Sequence, residues 1–134
     1  MKTRSEQEIR SLWIEDSGLI GFLSSVSGEV ERFNDTFGFG LRLLPEPPGM
    51  IDGRDTNQLN TAFVIERKNP MLTERRYCLY ALLEGRELAG YIGVIEGDEI
   101  TTLREVGRVA DYSEPQVSLY DWMRALLKAS CDKI

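Results

Sequence analysis

The stretch RRYCLYALL at residues 75–83 constrains the fold more than any other part of the chain, because both of its alternating faces are apolar. Successive side chains of an extended strand point to opposite sides. Tyr77, Leu79 and Ala81 therefore fall on one face and Cys78, Tyr80 and Leu82 on the other. A strand apolar on both faces belongs in the middle of a sheet and needs cover on both sides. The expectation is a sheet centred on this segment, with helices over at least one face.

Its neighbours supply the sheet. Residues 61–67, 87–95 and 99–109 are rich in β-branched and aromatic side chains, with turn signals at Asn69-Pro70, Glu84-Gly85-Arg86 and Glu96-Gly97-Asp98. The last two connectors are short enough to force hairpins, which predicts a four-stranded antiparallel meander. Gly90 and Gly93, inside a predicted strand, read as a bend in a curved sheet.

On either side of the meander the period changes. Ser5 with Glu8 fits a capping box ahead of Ile9, Leu12 and Trp13, predicting a helix that stops near Asp16-Ser17-Gly18. Leu19, Phe22, Leu23, Val26, Val30, Phe33 and Phe37 then step by three and four, predicting a second helix over 18–34 that Gly28 and neighbouring serines weaken. Ser113 with Gln116 and Ser118 with Asp121 offer starts for a last helix, whose stripe is Leu119, Trp122, Met123, Leu126 and Leu127. Between helices and sheet, residues 44–60 hold three prolines, two glycines and four Asp or Asn residues, the composition of a long loop. Such a loop is either a contact surface or a mobile connector. A chain of 134 residues buries about two-thirds of its surface on folding, enough for one core. The predicted fold is a single α+β domain over 1–134: N-terminal helices, a long Pro/Gly-rich loop, a four-stranded antiparallel meander and a C-terminal helix packed on the sheet.

Composition removes chemistry. The chain contains no histidine, so imidazole-based nucleophile activation and His-ligated metals are excluded. Cys78 and Cys131 lie far apart without CxxC spacing and are read as reduced thiols. Asp52, Asp55, Asn57 and Asn60 fail the spacing of an EF-hand loop, so no metal is expected. Gly38-Phe39-Gly40 lacks the third glycine of a dinucleotide fingerprint. No cofactor is expected.

With 22 acidic against 16 basic side chains the formal charge is −6, which opposes binding to nucleic acid. No apolar run approaches the roughly 18 residues of a membrane span, and the polar N-terminus is unlike a signal peptide. A cytoplasmic protein without a membrane partner is expected. Arg67, Lys68, Arg75 and Arg76 flank the 68–74 connector, and in a meander this end of the sheet also carries the 96–98 turn. Opposite charges are therefore expected to face each other there.

One segment resembles a known family. The hairpin YALLEGRELAGYIGV is similar to the middle hairpin of GNAT acetyltransferases, and residues 104–110, REVGRVA, are similar to that family's acyl-CoA pyrophosphate loop. The likeness covers about a quarter of the chain. In that family the loop opens directly into a helix that holds the phosphates, whereas residues 111–115 intervene here. The resemblance implies a degenerate acyltransferase-like enzyme.

The leading expectation is a non-catalytic protein that binds another protein through an acidic surface around Glu96, Asp98 and Glu99, in the manner of inhibitors or immunity proteins of phage or mobile elements. The alternative is a small-ligand pocket between sheet and helices lined by Phe63, Tyr77, Tyr80, Tyr91 and Trp122. An exposed sheet edge suggests a homodimer.

Overall fold

The computed structural model describes residues 19–38, 40–67, 76–110 and 115–131. In chain order they form α1 (Leu19–Phe37), β1 (Leu41–Leu43), β2 (Met50–Ile51), β3 (Arg54–Asp55), a 3-10 turn (Thr56–Gln58), β4 (Thr61–Arg67), β5 (Arg76–Glu84), β6 (Glu87–Glu96), β7 (Glu99–Val109) and α2 (Pro115–Cys131). The fold is α+β, and the strands lie in the order β1-β4-β5-β6-β7-β2-β3. The predicted helix over 5–16 and the 68–74 connector lie outside the described residues.

Strands β4 to β7 are consecutive antiparallel neighbours, as the meander requires. They are the middle of a seven-stranded mixed sheet, however, and not a four-stranded one. β1 pairs antiparallel with β4, β2 pairs parallel with β7, and β3 pairs antiparallel with β2. These three strands are two or three residues long, too short to display a period. β1 and β2 become strands because longer neighbours, β4 and β7, offer them an edge, and β3 pairs with β2 across a short local turn.

β5 sits inside the sheet and is covered on both faces. On one face Tyr77, Leu79 and Ala81 join Phe63, Ile65, Ile92 and Val94 beneath Phe22, Val26 and Phe33 of α1 and Leu119, Trp122 and Met123 of α2. On the other, Cys78 and Tyr80 join Val64, Ile95 and Ile100, and Leu44, Ile51 and Leu59 of the Pro/Gly-rich segment pack against them. That segment is therefore the second layer of the core. It leaves β1 at one edge, forms β2 and β3 at the opposite edge, and returns to β4 beside its starting point.

Both helices are fixed at their ends. α1 buries Leu19, Phe22, Val26, Glu29, Val30 and Phe33, a stripe at steps of three and four, and continues past the expected end to Phe37. At its last turns Asn34 accepts the Leu41 N–H at 2.7 Å and donates to the Leu41 carbonyl at 2.8 Å, tying the helix to β1. Arg67, at the end of β4, reaches the last turn of α2. Its guanidinium donates to the Leu127 carbonyl at 3.2 Å and bonds the Ser130 hydroxyl, tying the end of β4 to the last turns of α2.

Candidate functional site

The aromatic residues expected to line one pocket are divided between the two faces of the sheet. Phe63, Tyr77 and Trp122 belong to the helix-side core, where Phe22, Phe63 and Trp122 pack with ring centroids 6.0–6.5 Å apart. Tyr80 and Tyr91 stand on the opposite face. They are cross-strand partners, stacked at 5.2 Å with an interplanar angle of 18°. The spacing already contained part of this result, because Tyr77 and Tyr80 are an odd number of residues apart in one strand.

The acidic residues of the β6–β7 turn are likewise not a single surface patch. Asp98 accepts the Gly49 N–H at 2.9 Å and Glu99 accepts the Gly53 N–H at 2.8 Å, so both hold the returning segment to the sheet. Glu96 is exposed. Of the basic residues expected opposite them, Arg67 bonds α2 and Arg76 pairs with the buried carboxylate of Glu66, while Lys68 and Arg75 lie outside the described residues. Among the loop residues weighed as calcium ligands, Asp52 Oδ1 accepts the Thr102 N–H at 2.8 Å and Asp55 Oδ1 accepts the Asn57 N–H at 2.9 Å. Both carboxylates thus serve the backbone.

What the face does assemble is a polar cluster around Tyr91. Its hydroxyl donates to Glu84 Oε2 at 2.8 Å. Arg108 bonds Glu84 Oε1 at 2.8 Å and lies 2.9 Å from Glu105 and 3.5 Å from Glu87. Among these four side chains three carboxylates meet one guanidinium, a surplus of two formal negative charges beside a half-buried ring. Each pair is solvent-exposed and worth about 0–1 kcal/mol, so the cluster's weight lies in its field.

Electrostatics fix the protonation states. The hydrogen bond from Tyr91, with help from Arg108, holds the Glu84 carboxyl below its ordinary range. Burial, followed by the neighbouring Glu84 carboxylate, pushes the Tyr91 phenol up to about 12. Glu84 is therefore an anion and Tyr91 a neutral donor at neutral pH. Burial also raises Tyr80, against the opposing hydrogen bond with Thr102.

Glu84, Glu87, Glu105 and Arg108 were missed from the sequence for a definite reason. Glu84 and Glu87 are partners across the β5–β6 turn, which the hairpin itself could have revealed. Glu105 and Arg108 are three apart and would alternate to opposite faces in a regular strand. The register shift opposite Gly90 and Tyr91 inserts one extra residue in β7 and returns both to the same face. The segment resembling a pyrophosphate loop is this same bulged strand, extended through Val109. The chain matches no family model, no curated protein and no solved structure.

Proposed function

We propose that this is a non-catalytic, cytoplasmic binding protein that recognises a basic protein partner through the carboxylate cluster around Arg108 and Tyr91, in the manner of an inhibitor or immunity-type protein. The observation that carries this reading is the surplus of carboxylate around Arg108, displayed next to the stacked Tyr80–Tyr91 pair on strands of the central sheet. A tyrosine face and adjacent carboxylates together suit a Lys or Arg side chain. The overall charge of −6 favours approach of the same kind of partner.

The test begins with affinity capture from the source cells, followed by identification and purification of the captured protein. Binding is then measured by calorimetry with the purified pair. Simultaneous Glu84→Lys, Glu87→Lys and Glu105→Lys is expected to weaken a basic partner at least about tenfold while the melting temperature stays within a few degrees, and Glu96→Lys to change affinity little. A partner that ignores the triple reversal, or responds only to Glu96→Lys, rejects this surface.

A further inference from the structure

β7 is much longer than anything pairing with its outer side. β2 meets it only at Glu99 and Ile100. Asp52 then takes the next outward backbone groups: its N–H donates to the Ile100 carbonyl at 2.9 Å, and its side chain accepts the Thr102 N–H. Beyond Thr102 no strand among the described residues continues the ladder. Antiparallel strands turn their backbone groups alternately toward and away from a neighbour. Carried through the two register shifts of β7, that alternation turns Glu105 and Arg108 outward.

We propose that this edge, at Glu105 and Arg108, accepts an extended basic segment of a partner protein as a short added strand. The inference rests on the acidic-face reading above and adds the mode of binding. An added strand lies about 4.8 Å from its neighbour, so its alternate side chains stand beside Glu105 and Arg108, while Glu87 on β6 and Glu84 on β5 lie one and two strands further in and act through the field of the cluster that encloses Arg108. Lysines or arginines at those positions meet the negative surplus. A second copy of this chain would bring two such surpluses together, which opposes self-pairing through the same edge. The bulges limit the addition to a few residues and discourage indiscriminate pairing. Main-chain hydrogen bonds supply part of the affinity and the charged side chains the selectivity.

The probe is an acetylated heptapeptide of alternating lysine and valine, compared with an analogue N-methylated throughout, which keeps the charge and loses the N–H donors. Saturating peptide is expected to slow amide hydrogen exchange at Glu105 and Arg108 at least about tenfold. N-methylation and Glu105→Lys are each expected to weaken binding by a similar factor. Equal binding of both peptides, still sensitive to Glu105→Lys, overturns strand addition and leaves the acidic face standing. Sensitivity to N-methylation that survives Glu105→Lys and Glu84→Lys overturns the acidic face and leaves the edge. Unchanged exchange at saturation, no binding up to millimolar peptide, or a dimer through β7 in native mass spectrometry overturns the proposal.

Discussion

Trp122 decides what two adjacent strands can carry beneath it. Its indole lies over Gly90 and Gly107, which are partners across β6 and β7. A Cβ at Gly90 would sit 2.8 Å from Trp122 Cε2, and one at Gly107 would sit 3.0 Å from Nε1. At Gly90, read from sequence as a bend, the decisive constraint is the close approach of an aromatic ring from a helix more than twenty residues away in sequence. Gly90→Ala is expected to destabilise the fold by about 1–3 kcal/mol through overpacking, measured by urea unfolding. Combined with Trp122→Phe, it should cost less than the sum of the two single changes, because the smaller ring makes room. Additive costs would mean that the ring does not set the constraint.

At the scale of elements, the 44–60 segment shows how a loop composition becomes a structural layer. Its prolines and glycines rule out a long helix, yet Ile51 and Thr56 are buried. Asp52 holds the segment to β7 while its own backbone sits at φ 52°, a left-handed conformation rare for a non-glycine residue. Side chain and backbone therefore make opposite demands. Asp52→Asn keeps an acceptor and tolerates this conformation, so its expected cost is under about 0.5 kcal/mol. Asp52→Ala loses the acceptor and keeps the strain, for an expected loss of about 1–2 kcal/mol, and Asp52→Gly should fall between them by relieving the backbone. Chemical denaturation of the three variants measures the order, and an alanine variant as stable as the asparagine one would remove the side chain from the account.

Across the whole molecule, two layers packed on one sheet couple its ionisable groups to folding. Burial pushes the Cys78 thiol up to about 12 from an ordinary value near 9, and Tyr91 is raised to about 12 from near 10. A raised folded-state pKa means that the native state holds the proton more tightly, so its contribution is complete below the unfolded value and is lost as pH rises through the folded value. Stability is expected to decline from about pH 9 upward, reaching its steepest fall between about 10 and 12 where both groups act. Glu84 has the opposite sign: its depressed pKa contributes above the ordinary carboxylate value and is lost as pH falls through the lower folded one. Urea midpoints measured on the alkaline side from about pH 9 to 12 and on the acid side below the ordinary carboxylate value test the two limbs. Tyr91→Phe should make the alkaline limb shallower, and an unchanged slope would show that Tyr91 does not contribute.

The sequence by itself determined the long elements. Strands at 61–67 and 99–109 were read with the bounds they have in the fold, and most of the buried apolar stripe of each described helix was named, although Phe37 is exposed and the buried Glu29 and Ser130 were not foreseen. Periodic burial is a local property, so nine or ten residues suffice to display it. Only the tertiary structure decided the rest. Strands of two and three residues carry no period, and their pairing depends on edges made elsewhere in the chain. The meeting of Glu84, Glu87 and Glu105 at Arg108 required a bulge in β7, which moves one side chain across the sheet without leaving a mark in the alternation. The partners of Arg67 and Arg76 were settled the same way, since a long cationic side chain is oriented by whichever acceptor the fold brings within reach.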